Sequence, residues 1–115
     1  MGKITESNNI LTVDLDEKYI RNIIVNLMDD LFIGAINYLR DIGKSCEFFG
    51  FNVLNGHVVL IDGIKYCTSG IQIYDGFSFP TEEFYIVEDL DYDYRENRLK
   101  DRANKILDIL GDKRI

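Results

Sequence analysis

From Ile20 onward the apolar side chains return every three or four residues, as Ile20, Ile24, Leu27, Leu31, Ala35, Tyr38 and Ile42, while Ile23, Met28, Phe32 and Ile36 widen the stripe. That is the period of an amphipathic helix with a broad buried face. Asp14 and Glu17 stand ahead of it at the capping-box spacing, in which a side-chain acceptor and a third-position carboxylate satisfy the opening backbone donors. Gly43 supplies a stop at the other end. The pattern predicts one long helix over 14–42, roughly 40 Å in length given the rise of an α-helix. A sheet of short strands needs less, so the helix ends overhang or serve a second subunit, and Gly34 permits a bend or a close crossing. Residues up to about Val13 are polar and lack a period, which suits a loose arm or a short edge strand.

Beyond Gly43 the pattern shortens to strand length. Asn55-Gly56, Asp62-Gly63, Ser69-Gly70 and Asp75-Gly76 punctuate apolar runs at intervals of seven, seven and six residues. Asn-Gly and Asp-Gly tolerate the positive φ angles of two-residue hairpins, whose twist matches that of the flanking strands. The runs predict an antiparallel meander with strands over 47–54, 57–61, 64–68 and 71–74 and a further one over 84–88, with 77–79 held to an edge by Pro80. Two-residue turns set Val53 opposite Val58, Phe51 opposite Leu60, Leu60 opposite Lys65 and Val58 opposite Cys67. The other side collects Phe48, Leu54, Val59, Ile61, Ile64, Tyr66, Ile71 and Ile73 and belongs under the long helix. Phe49, Phe51, Val53, Val58 and Leu60 also need cover, from a second helix or from another chain.

Asp93 and Glu96 repeat the capping-box spacing and open a second helix that runs to about Leu110, where Gly111 stops it. Its stripe of Leu99, Ala103, Ile106, Leu107 and Leu110 is narrow, so most of its circumference stays wet. The expected fold is α+β: a long N-terminal helix packed on an antiparallel four- to five-stranded β-meander, followed by a C-terminal helix, in a single domain over 1–115 with 1–13 as the loose arm or edge strand.

Length and composition agree with one ordered core. The chain has 115 residues, 46% of them apolar, and one proline, which is the profile of a folded domain and not of a disordered tail. Cys46 and Cys67 form no C-x-x-C pair and are too few for a disulfide framework, so both read as reduced core residues; they fall on nonadjacent strands. No apolar stretch reaches membrane-spanning length, no leader pattern is visible, and Glu6 replaces the Ser or Thr that a myristoylation signal requires. The expected setting is the cytoplasm, without a membrane partner.

Charge is the feature that departs from an evenly mixed surface. The net charge of −7 disfavours a nucleic-acid backbone and suits a basic protein partner. From 81 to 93 the chain carries Glu82, Glu83, Glu88, Asp89, Asp91 and Asp93 with no Lys or Arg, interleaved with Tyr85, Tyr92 and Tyr94. Carboxylates and tyrosines in such a strip steer and anchor a basic partner. The plainer reading is that Asp91 and Asp93 favour a helix N-terminus while Glu82 and Glu83 are solvated loop residues. Asp89, Asp91 and Asp93 mimic the first ligands of a calcium loop, but Tyr94 stands where glycine is needed and Lys100 where the bidentate Glu belongs, so an EF-hand is rejected.

From 94 to 115 seven basic side chains face four acidic ones, and Arg95, Arg98, Arg102 and Lys105 form one basic helix edge, the alternative site of phosphate contact. Glu96 with Lys100 and Asp101 with Lys105 are also ordinary helical pairs. Folding of that edge onto the acidic strip would consume both patches. His57, the only histidine, reads as a partly exposed turn residue opposite Leu54. No phosphate-loop, dinucleotide, nucleophile-elbow or zinc-spaced pattern is present, so no cofactor, metal or catalytic residue is assigned. The leading expectation is a noncatalytic acidic module that binds a basic protein in an inhibitor, immunity-type or chaperone-like role, of the sort that phages and mobile elements encode. The alternatives are a nucleic-acid or nucleotide module using the basic edge, or a homodimeric structural protein.

Overall fold

The computed structural model of the chain describes residues 2–20, 27–52, 56–68, 73–74, 80–87 and 97–114. It opens with strands. β1 (Lys3–Ser7) and β2 (Ile10–Asp14) pair antiparallel with Ser7 opposite Ile10, and Asn8 and Asn9 close the hairpin at φ 50° and 66°. Asparagine tolerates this left-handed conformation, so the Asn-Asn pair acts as the type I′ turn that Asn-Gly commonly supplies. The segment expected as a loose arm is therefore a hairpin whose second strand is interior, with Leu11 and Val13 buried.

The long N-terminal helix over 14–42 is absent. Asp14 ends β2, and the described helical residues form α1 (Glu17–Ile20) and α2 (Leu27–Asp41), with 21–26 outside the described residues. The start moves because Asp14 pairs with Thr81 across the ladder and accepts a hydrogen bond from Thr81 Oγ1 at 2.8 Å. Asp16 takes the capping part, accepting from the Lys18 backbone N–H at 3.2 Å. Gly34 is indeed a close crossing: a Cβ there would lie 2.8 Å from Tyr19 O and 2.9 Å from Ile20 Cγ2, so α1 rests on α2 where no side chain intervenes. Gly43 ends α2, with the Lys44 N–H returning to Leu39 O at 2.9 Å.

The remaining strands are β3 (Cys46–Asn52), β4 (Gly56–Ile61), β5 (Ile64–Thr68), β6 (Ile73–Tyr74) and β7 (Pro80–Ile86). Every described pairing is antiparallel, in the order β1-β2-β7-β5-β4-β3, with β6 paired to β7. The four- to five-stranded meander thus becomes a larger sheet, because the N-terminal hairpin adds two strands and β7 is inserted between β5 and β2. Asp62 and Gly63 close the β4–β5 hairpin as the dipeptide predicts, and Val58 opposes Cys67 and Leu60 opposes Lys65. At Asn55-Gly56 the register differs: Asn52 opposes Gly56, and Phe51 opposes His57 instead of Leu60. Three residues separate that pair where the expected turn left two, and a bulge between Phe48 and Gly50, with Gly50 at φ 130°, slips the ladder by one more residue farther along. The extra residue breaks strict alternation, so Phe48 and Phe51 both turn inward. Val53 and Leu54 lie outside the described residues.

The two longer helices serve one face of the sheet. Phe32, Ile36 and Leu39 of α2 pack with Leu11, Val13, Phe48, Val59, Ile61, Tyr66 and Phe84, and α3 (Asn97–Leu110) adds Ala103, Ile106 and Leu107. The narrow stripe read for the second helix is the one buried, with Leu99 and Leu110 partly covered at its margin. Gly111 follows α3 as the expected stop, and residues 93–96 lie outside the described ones. Because α3 joins α2 in this core, it is not the cover expected for the face of Phe49 and Leu60, for which the other expectation was a second chain. Cys46 and Cys67 are both buried and unbonded, on strands that β4 separates.

Candidate functional site

Asp29 lies three, four and seven residues before Phe32, Ile33 and Ile36, so the first turn of α2 carries a carboxylate on its own apolar stripe. The structure buries it completely, with partners from two other elements. His57 Nε2, from the first turns of β4, lies 2.9 Å from Asp29 Oδ1, and Arg102 of α3 donates through Nε to Oδ2 at 3.0 Å and through a terminal nitrogen to Oδ1. The register places His57 there, opposite Phe51 on the turn side of the β3 bulge, and its ring stacks on Phe32 at 4.2 Å with 8° between planes. The Arg102 guanidinium in turn lies 4.3 Å from the Phe51 ring centre. Burial raises the Asp29 pKa, but the bonds from His57 and Arg102 outweigh it and hold the carboxyl at about 2. Asp29 is thus a carboxylate throughout the neutral range, and His57 donates Nε2–H to it.

Burial lowers the His57 pKa, partly offset by Asp29, so the ring is neutral and Nδ1 carries its lone pair. That nitrogen is buried and has no hydrogen-bond partner among the described residues. The partly exposed turn histidine expected opposite Leu54 is therefore a core residue, 1% exposed. An aspartate orienting an imidazole also supplies two of the three members of a catalytic triad, but such chemistry needs a reachable nitrogen, and Nδ1 is buried with no partner atom among the described residues.

A second polar pair occupies the same face. Strand alternation sends Glu82 and Phe84 inward and Glu83 and Tyr85 outward. Glu82 is 1% exposed and accepts from Thr68 Oγ1 at 2.5 Å; burial pushes its carboxyl up to about 8, so it carries a proton at neutral pH. This corrects its assignment to an open acidic strip. Glu83 is half-buried on the outer face and accepts the Tyr85 hydroxyl at 2.5 Å, a bond that, with burial, raises the phenol to about 12. Glu88, Asp89, Asp91, Tyr92 and Asp93 lie outside the described residues, as does Arg95.

On the basic edge, Arg98 and Lys105 are exposed, whereas Arg102 is turned inward to Asp29, so the edge is interrupted at its centre. Arg40 ties α2 to the far end of α3: it donates to Cys46 O at 2.9 Å and Leu110 O at 3.1 Å and pairs with Asp112 at 2.7 Å. Arg114 pairs with Asp108.

Beside the β1–β2 turn the core face emerges from under the helices. A groove of about 290 Å³ is lined by Glu6, Asn8, Asn9, Ile64, Tyr66 and Ile86 among others, and Ile64 and Ile86 are 45% and 37% exposed. The chain runs from this groove through Val87 directly into Glu88 and Asp89. Among the described residues no group of three His, Cys, Asp or Glu side chains is placed to hold a metal, and no helix is long and apolar enough to cross a membrane. Burial raises both thiols, Cys46 to about 11, so neither is a ready nucleophile.

The chain matches no protein-family model, no curated protein and no solved structure. The residues that sequence reasoning missed are Asp29 and Thr68. The available signal for Asp29 was a carboxylate at core spacing, and for Thr68 a hydroxyl ending a strand opposite the chain's one histidine.

Proposed function

We propose that the protein is a noncatalytic acidic module that engages a basic partner protein, blocking or escorting it, through the outward side of β7 and the carboxylates that follow. The observation carrying this reading is where the arginines go. Arg102, Arg40 and Arg114 are held by Asp29, Asp112 and Asp108, none of which belongs to the strip. Those three cations are therefore spent elsewhere in the same molecule, which supports a strip of Glu83, Glu88, Asp89, Asp91 and Asp93 that retains its negative field. Ile86, exposed at the end of β7, offers an apolar contact at the point where the chain continues into these carboxylates. The phosphate-binding alternative loses Arg102, and with it the continuity of the basic edge.

The test is charge reversal at Asp89, Asp91 and Asp93 to lysine, measured against a partner recovered from the native host with the wild-type chain. Affinity falls by at least about tenfold, with a weaker dependence on salt, if these carboxylates steer and hold the partner. Unchanged affinity overturns the assignment of this surface.

A further inference from the structure

We propose that His57 is a proton-operated latch on α3: uptake of a proton at Nδ1 releases Arg102 from Asp29 and frees the N-terminal half of the helix from α2 and β3. The reasoning starts from an atom with nothing to bond. Nδ1 is buried and has no partner among the described residues, so a proton placed there creates an N–H donor with no acceptor in position among them. It also adds a second cation beside the one already shared with Asp29, since Arg102 grips both oxygens of the carboxylate that receives the imidazole.

Among the described residues, the charges that act on His57 come from two elements, Asp29 on α2 and Arg102 on α3. From β3, Phe48 and Phe51 present rings, and from β5 the residue opposite is Thr68, whose hydroxyl is given to Glu82 of β7. Of the two cations only one has water to move into: the Arg102 side chain is 33% exposed, against 1% for His57. Arg102 therefore leaves, the imidazolium keeps Asp29, and water entering behind the guanidinium meets the new N–H. The helix is held loosely enough to respond. Ala103, Ile106 and Leu107 are its buried residues, and the Arg40 bonds to Leu110 O and Asp112 pin its far end, which leaves the Arg102 half to open. The depressed basicity of His57 agrees with a closed form that resists the proton.

The latch is tested on the full chain by NMR between pH 7.5 and 5. As the only histidine, His57 gives a single ring resonance to follow. Amide exchange, corrected for its intrinsic pH dependence, reports opening element by element. If only the open form binds the proton, the opening constant of the α3 amides rises about tenfold per pH unit below about 6.5, while β4 and β5 stay protected. His57→Gln retains a donor for Asp29 and cannot titrate, so its profile is flat; Arg102→Gln opens α3 at every pH. A flat wild-type profile, an acid response that survives in His57→Gln, or sheet amides that fall to the same protection as α3 overturn the proposal. Should His57→Gln not fold, the wild type still decides: a histidine titration and an α3 transition without a common midpoint refute the latch.

Discussion

Replacing Glu82 by glutamine isolates the most expensive side chain in the core. Its carboxyl, 1% exposed, is pushed by burial from 4.5 to about 8. Between those values the native state keeps a proton that the unfolded chain has released, so stability falls as pH rises across the window and levels off above it. At pH 7 the two states differ by about 2.5 pH units of titration, and at roughly 1.4 kcal/mol per unit the loss relative to acid is about 3 kcal/mol. Glutamine fills the same space, can still accept from Thr68, and carries no titrating proton. Urea unfolding at pH 5, 6, 7 and 8 should therefore give similar stabilities for the two proteins at pH 5 and a Glu82→Gln variant about 3 kcal/mol more stable at pH 7. In urea that is a midpoint shift of about 1 to 3 M at unchanged m. The histidine pulls the other way in both proteins, because a neutral buried ring contributes stability that is lost as pH drops below about 6.5. The wild type is therefore flattened where the two slopes oppose and declines from pH 6.5 to 8, whereas the variant rises to pH 6.5 and then holds level. Parallel curves from pH 5 to 8, or a variant less stable at pH 8, would refute the account of Glu82 as a protonated core residue.

Two further substitutions probe the seams around this core. Gly34→Ala gains about 1 kcal/mol of helix propensity but drives a methyl to 2.8 Å from the backbone oxygen of Tyr19, which cannot swing aside. A net loss of about 1 to 2 kcal/mol, read as a melting temperature lower by several degrees, is expected, and a higher one would mean that α1 does not cross there. Arg40→Met keeps the apolar stem and strips the donors from Cys46 O and Leu110 O and the partner from Asp112, for a cost of about 2 to 3 kcal/mol in urea unfolding and faster amide exchange at the C-terminal end of α3.

The parts of the fold that local rules govern were legible. Asp62-Gly63 names its turn type, and that turn alone sets Val58 against Cys67 and Leu60 against Lys65. The helix stops at Gly43 and Gly111 follow from the same kind of chemistry. What local rules could not decide was competition. Leu11-Thr12-Val13-Asp14 alternates like a strand, and Asp14 with Glu17 is spaced like a cap; pairing with Thr81 to Tyr85 decides for the strand, and those residues are some seventy positions away. The Asn55-Gly56 dipeptide misleads for a related reason: Gly56 pairs with Asn52 and opens β4, and the bulge at Gly50 then slips the ladder once more, neither of which a dipeptide rule reports.

The site was harder because its charged residues stand on apolar faces. Glu82 alternates with Glu83 along β7, so a strip that looks continuous in sequence is divided by the pleat into one inward and one outward carboxylate. Asp29 is concealed by the breadth of the α2 stripe, where a polar residue among so many apolar ones carries little weight by itself. Its meaning comes from Arg102, which the sequence had grouped with solvent-facing basic residues. One arginine drawn inward to a buried aspartate breaks the basic helix edge, satisfies the carboxylate that orients His57, and removes a cation that could have neutralised the acidic strip. Core packing and surface charge are therefore coupled here: the polar contacts that fasten α3 to the sheet also determine which charges are left at the surface.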